Sequence, residues 1–278
     1  MTLHRLTAFT ESPDGGNPAG VWIGDALPDP EIMQRIAAEV AYSETAFVAP
    51  ATGRERSVRF FSPESEVPSC GHATIATGVV LGGIEGAGVY RLSTAIGVIS
   101  VALRRKGALW EASLTSVLPR HEPAPSSLVD EALAALNWRR DELNASIPPT
   151  RIYAGNWHLL LAAATPERLA TLDYDFERLK RAMLADDLTT LQLVWRESAG
   201  LYHSRNPFPV GGVVEDAATG SAAAALGGYL RDTGLVNPPA RILIRQGEAM
   251  GRPSRLIVDV PQRGGIVVTG TAVPIEEG

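Results

Sequence analysis

Five side chains have the types and settings that proton chemistry needs: Glu44, Cys70, His72, Asp216 and Ser221. Glu44 sits in Ser43-Glu44-Thr45, between an amphipathic stretch and a strand-like run. A carboxylate there acts as a general base if partial burial raises its pKa toward the working pH. The plain alternative is a surface glutamate at a helix end. His72 follows Cys70 by two positions and opens an apolar helix. Its imidazole donates a hydrogen bond or shuttles a proton, and a helix N-terminus favours the neutral ring; otherwise it is a capping or core histidine. Cys70 is a nucleophile or base, or a small buried hydrophobe. Glu215-Asp216 precede a second apolar helix, where helix capping is the ordinary role of a carboxylate and cleft acid/base chemistry the sharper one. Ser221 is placed to bind a substrate oxygen.

The elements that position these groups are two matched segments. Cys70-Gly71-His72-Ala73 and Thr219-Gly220-Ser221-Ala222 lie 149 positions apart. Each belongs with a stretch of 14 residues lacking charge, Gly71 to Ile84 and Ala217 to Leu230. A helix apolar on every side is buried on every side. Its first N–H groups have no partner within the helix, so the backbone at Gly71, His72 and Ala73, and at Gly220, Ser221 and Ala222, is suited to hold an anion. The pattern predicts a duplicated fold with a site between two halves. Ser221 then matches His72, and Thr219 matches Cys70, so two facing thiols are not available.

Elsewhere the patterning predicts strands at 3–9, 20–23, 46–48 and 58–61. A helix starts at Asp29-Pro30 with Ile32, Ile36 and Val40 toward the core and Glu31, Arg35 and Glu39 away. A hairpin over 98–114 turns at Arg105-Lys106-Gly107, and the proline-rich 119–126 crosses to the second half. Helices are expected at 127–136, 166–172 and 175–185, with strands at 151–153, 158–162, 190–195, 242–245, 256–260 and 266–271. Strands and helices are mixed without doubly wound alternation, which gives an α+β class. The halves are 1–118, with the last C-terminal strand available to complete it, and 119–278.

The chain has 278 residues, 45% hydrophobic and 20% charged, as in globular proteins, with net charge −6. That acidity argues against nucleic acid as a partner. No run reaches the roughly 18 apolar residues of a membrane span, and the N-terminus lacks a signal-peptide core. A single cysteine excludes an internal disulfide and favours the cytoplasm. The five histidines are scattered without zinc-type spacing, so no metal is expected. Neither a Gly-x-Ser-x-Gly elbow nor a dinucleotide fingerprint is present. Trp157, Phe208 and Pro209 are candidates for shaping selectivity or for ordinary core packing.

Taken in order, Gly16-Asn17-Pro18-Ala19-Gly20-Val21, Ser43-Glu44-Thr45-Ala46-Phe47, Cys70-Gly71-His72-Ala73-Thr74 and Val214-Glu215-Asp216-Ala217-Ala218-Thr219-Gly220-Ser221-Ala222 resemble the phenazine-biosynthesis isomerase (PhzF-like) family. Gln246-Gly247 and Gly251-Arg252-Pro253-Ser254 extend the likeness toward residue 272. The resemblance implies the diaminopimelate epimerase-like fold, two pseudo-symmetric halves each a curved sheet or barrel around a central helix. It implies an isomerase without cofactor, commonly a homodimer, acting on a small carboxylate such as trans-2,3-dihydro-3-hydroxyanthranilate. It places the catalytic glutamate on Glu44, other site residues on His72, Asp216 and Ser221, and substrate-facing glycines on Gly71 and Gly220. The related epimerases use two cysteines, of which only the Cys70 position is kept. Racemisation through Cys70, and a non-catalytic member binding a metabolite or protein, are the alternatives.

Overall fold

The computed structural model describes residues 1–275. Strands β1 (Thr2–Ala8) and β2 (Asn17–Ile23) pair antiparallel. Helix α1 (Pro30–Val40) crosses over, and β3 (Glu44–Pro50) returns parallel to β2. β4 (Glu55–Phe61) pairs with β3 and carries the short β5 (Glu66–Val67). Next come α2 (Gly71–Glu85), β6 (Gly88–Thr94) parallel to β4, and a meander through β7 (Gly97–Lys106) and β8 (Leu109–Thr115).

The rest of the chain repeats this plan. After β9 (Arg120–Pro123) and α3 (Ser126–Leu136) come β10 (Thr150–Tyr153) and β11 (Trp157–Ala162). Helices α4 (Pro166–Ala170) and α5 (Phe176–Ala185) then lead to β12 (Leu188–Ser198), parallel to β11. β13 (Leu201–Phe208) pairs with β12 and carries the short β14 (Val213–Asp216). Helix α6 (Gly220–Asp232) precedes β15 (Ala240–Gln246), parallel to β13, and β16 (Ser254–Val260) and β17 (Val267–Pro274) close the meander. The sequence of parallel and antiparallel pairings is therefore the same twice, with α2 and α6 in equivalent places.

Strand β17 pairs with β16, β8 and β1. Through it, β1, β2, β3, β4, β6, β7, β8 and β17 close into an eight-stranded barrel around α2. In the second half the corresponding outer place beside β10 is taken by β9. An eight-stranded barrel is normally filled by side chains alone. Here a helix fits because its wall-facing residues are small. A Cβ on Gly78 would lie 2.8 Å from Leu103, one on Gly82 2.8 Å from Trp110, and one on Gly227 2.9 Å from Val258. Residues 72–82 of α2 and 222–230 of α6 are buried, which accounts for their lack of charge.

Some expectations shift. The buried stripe of α1 is Met33, Ala37 and Val40, while Ile32 is 37% exposed and Ile36 only packs at the edge of the Trp22–Phe47 cluster. Val40 faces the core as expected, while in the first two turns the buried face is shifted by one residue, so Met33 fills that cluster. Strands β6, β13 and β14 are additional. β13 escapes pattern reading because its inward side carries Ser204 and Asn206 rather than aliphatic residues, both buried. The stretch expected only to cross over contains β9.

Candidate active site

The N-termini of α2 and α6 meet head to head. A Cβ on Gly71 would lie 3.1 Å from the Gly220 Cα, and one on Gly220 would lie 3.4 Å from the Gly71 Cα. The contact is tight for any side chain at Gly71 and of ordinary van der Waals length at Gly220. The first backbone bonds within the helices are Thr74 N–H to Cys70 O and Ala223 N–H to Thr219 O. The N–H groups of residues 71–73 and 220–222 precede them and have no carbonyl within their own helices. Neither the Cys70 nor the Thr219 side chain caps its helix.

Around this junction the candidate residues converge. Glu44, the first residue of β3, places Oε2 3.3 Å from His72 Nε2. Ser43 Oγ is 3.2 Å from the same nitrogen. Cys70 Sγ lies 3.4 Å from His72 Nδ1 and 3.8 Å from Nε2. Asp216, the last residue of β14, accepts from Thr219 Oγ1 at 2.6 Å. Glu44, Cys70, His72 and Asp216 are all under 9% exposed.

Asn17 joins these groups. Its Nδ2 donates to Asp216 Oδ1 at 2.7 Å and lies 3.1 Å from His72 Nδ1 and 3.2 Å from Ala218 O. An amide NH₂ has no lone pair to offer, so a bond from Asn17 to His72 needs Nδ1 unprotonated and the ring proton on Nε2; the two amide hydrogens are shared among Asp216, Ala218 and His72. No local pattern marks Asn17, because its partners are distant in sequence.

Burial dominates the electrostatics. It raises the Glu44 pKa, with hydrogen bonds from Ser43 and Cys70 opposing. It raises Asp216 to about 6, opposed by His72 and reinforced by the Glu44 charge. It pushes the Cys70 thiol well up, with Glu44 adding to the rise. It lowers His72, which stays neutral. Two carboxyls with raised pKa values beside a neutral imidazole are suited to exchange protons near neutral pH.

Ser221, on the partner helix, has its Oγ 3.1 Å from His158 Nε2. His158 is fully buried, with Nδ1 2.8 Å from Thr190 Oγ1, and burial lowers it to about 3. It is a neutral brace for Ser221. Sequence reasoning counted it only among scattered histidines, and no local pattern marks it.

The remaining motif residues hold the loops. Gln246 Nε2 donates to Asp216 O and Thr219 Oγ1, and its Oε1 accepts from Thr219 N–H. Arg252 donates to Gly16 O, Gly15 O and Thr7 Oγ1, which fixes the turn before Asn17. Glu215 points elsewhere and forms a two-pronged ion pair with Arg205.

A cavity of about 130 Å³ opens beside the helix junction. Cys70, Gly71, Thr74, Gly220 and Ser221 form its floor, and Ile96, Val98, Ile99, Leu114 and Val117 its apolar walls. No lining residue is charged. Glu44, His72 and Asp216 are not among the walls; Cys70 is the link, touching both them and the cavity. Trp157, Phe208 and Pro209 are not on its walls either. Trp157 packs instead on Tyr153 and the second-half core.

Residues 6–278 match the family described as phenazine biosynthesis-like protein. The chain belongs to this family. It is 32% identical to the trans-2,3-dihydro-3-hydroxyanthranilate isomerase of Pseudomonas aeruginosa, covering 99% of each chain. It is 36% identical to an uncharacterized isomerase of the same organism, covering 98% of this chain and 95% of that one. Among solved structures, a PhzF-family phenazine biosynthesis protein of Bacillus anthracis superposes with TM-score 0.84 at 21% identity, covering 99% and 98% of the two chains. A probable proline racemase of Agrobacterium radiobacter follows the same fold at TM-score 0.67 and 15% identity, covering 98% and 90%. The protein is thus a PhzF-family isomerase with the α+β architecture shared by that wider group. Among the described residues, no helix is long and apolar enough to cross a membrane.

Proposed function

We propose that the protein isomerises a small carboxylate metabolite by moving a proton with its own side chains. One observation carries this reading: Glu44, His72 and Asp216, from distant parts of the chain, form one buried hydrogen-bonded set where two helix N-termini meet. The substrate carboxylate takes N–H groups at residues 71–73 and 220–222, with the Ala73 N–H exchanging the Cys70 sulfur for it, between halves spanning 1–118 and 119–278. Glu44 removes a proton from a carbon next to an unsaturated or carbonyl system. Glu44 itself, or His72 with Asp216, returns it at another carbon. The developing charge is stabilised in a dry, preorganised site. Cys70, Gly71, Ala73, Gly220 and Ser221 position the substrate. The working state in this reading is a cytoplasmic homodimer, and trans-2,3-dihydro-3-hydroxyanthranilate is the first compound to try.

Deuterium uptake followed by proton NMR tests this reading. A panel of small carboxylates is incubated in D₂O with wild type and with Glu44→Gln. Exchange or rearrangement by wild type, reduced about 10²–10⁴-fold in Glu44→Gln, is the expected result. Undiminished exchange by Glu44→Gln removes Glu44 as the base.

A further inference from the structure

We propose that Glu44, Cys70 and His72 also form a capture site for a Zn²⁺-like divalent cation, which occupies the acid/base groups and blocks them. Their donor atoms all lie within 4.8 Å of one another. Carboxylate, thiolate and imidazole are the ligand types of three-residue zinc sites that keep a fourth position open. The spacing fits closely. Around a tetrahedral Zn²⁺, bond lengths of about 2.0–2.3 Å put a nitrogen about 3.3 Å from an oxygen and about 3.6 Å from a sulfur. The observed separations are 3.3 Å for His72 Nε2 to Glu44 Oε2 and 3.8 Å for His72 Nε2 to Cys70 Sγ. The uncharged cavity reaches Cys70 and supplies a way in.

Capture requires proton movements that balance. The Cys70 S–H proton must leave for sulfur to bind as thiolate. The His72 ring proton moves from Nε2 to Nδ1, so that Nε2 binds the cation. Asn17 then turns its amide, and Oδ1 accepts from Nδ1–H; a ligating histidine commonly donates its other ring N–H to a carbonyl in this way. The turned oxygen now faces Asp216, which must carry a proton to donate, and the Ala218 carbonyl gives up the Asn17 N–H it accepts from. Asp216 takes up the proton that Cys70 gives away, which balances the step.

His203 serves as the control: Glu197 lies 2.7 Å from its Nε2 and Glu248 3.4 Å from its Nδ1, so the two carboxylates face opposite ring nitrogens. The test measures metal binding on the metal-free full chain, so it does not depend on any substrate or on the isomerase reading. Co²⁺ is added and the near-ultraviolet thiolate charge-transfer band recorded. Zn²⁺ affinity is measured by competition with a chelating dye, for wild type, Cys70→Ala, Cys70→Ser, Asn17→Ala and His203→Ala, each checked by circular dichroism. Wild type and His203→Ala should bind one Zn²⁺ and show the thiolate band. Both Cys70 variants should lose the band, and Asn17→Ala should bind about 10–100-fold more weakly. Zn²⁺ should raise the melting temperature of wild type. Should Cys70→Ala not fold, Cys70→Ser carries the comparison. Absence of a thiolate band in wild type, or binding lost in His203→Ala and kept without Cys70, overturns the proposal.

Discussion

Asn17 and Asp216 are 199 positions apart, yet the Asn17 amide donates to the Asp216 carboxylate at 2.7 Å. The same NH₂ faces His72 Nδ1, so one side chain touches the imidazole and ties the start of β2 to the end of β14. Asn17→Ala removes the donor shared by three buried acceptors, Asp216 Oδ1, His72 Nδ1 and Ala218 O. The cost of such groups is about 1–3 kcal/mol. Urea denaturation should show a loss of that size, and a loss under about 0.5 kcal/mol, the ordinary range for surface changes, would mean that the bridge is not structural.

Asp216 gives a pH signature. Its carboxyl, ordinarily at 3.8, is raised by burial to about 6. Between those values the folded state holds more protons than the unfolded one, so this group makes stability fall as pH rises. The penalty is complete above pH 6 and is on the order of 3 kcal/mol. Glu44 acts in the same direction. His72 and His158, both lowered, act oppositely, with stability rising as pH climbs toward 6.5. Asp216→Asn isolates the first effect. Relative to wild type it should gain stability at pH 7–8 and lose that gain by about pH 4. A difference independent of pH would show that Asp216 ionises normally.

Burial explains what the sequence disclosed and what it hid. The two central helices were legible because a helix enclosed on all sides excludes charge over four turns. The hairpin at Arg105-Lys106-Gly107 and the N-terminus of α1 were legible because Gly and Pro act locally. The facing of α1 was not, since Ile32 and Met33 are equally apolar and only the neighbouring sheet chooses between them. β13 was hidden because Ser204 and Asn206, inward beside Tyr202, break the apolar alternation. Asn17, His158 and Gln246 were hidden for a related reason. Each is a polar residue whose partner is brought near only by the completed fold, at Asp216, Ser221 and Thr219 respectively.

The glycine contact between the helix ends sets a steric limit. Gly71→Ala would put a methyl 3.1 Å from the Gly220 Cα, a backbone atom with little room to move. Overpacking of this kind typically costs about 1–3 kcal/mol. Gly220→Ala, at 3.4 Å, should cost less. Melting temperatures of the two variants should therefore fall in that order. Turnover of Gly71→Ala should fall further than its stability does, because the N–H groups of both helices are displaced. Equal effects on turnover would mean that the helix ends do not act together.

Cys70 separates isomerisation from thiol-based racemisation. Its thiol is pushed well above its ordinary pKa by burial and by Glu44, which makes it a poor base at neutral pH. The matching residue Thr219 spends its hydroxyl on Asp216 and offers no second base across the junction. Cys70→Ala should lower turnover only modestly, whereas Glu44→Gln should nearly abolish it. If Cys70→Ala is the more severe change, the racemase chemistry is the better account.

Ser221 provides a test of binding as distinct from proton transfer. Its hydroxyl is braced by His158, which at about 3 remains neutral from pH 5 upward. Ser221→Ala removes a hydroxyl that contributes to holding the substrate and leaves a buried ring nitrogen unpartnered, a stability cost of about 1–3 kcal/mol. Binding that is equal in the ground and transition states appears in KM rather than kcat. The variant should therefore raise KM with little change in kcat, and the ratio of its KM to that of wild type should be the same at pH 5.5 and pH 8. A ratio that changes across this range would mean that the His158 ring titrates. A fall in kcat at constant KM would mean instead that Ser221 acts on the transition state, with its hydroxyl joining the proton transfer.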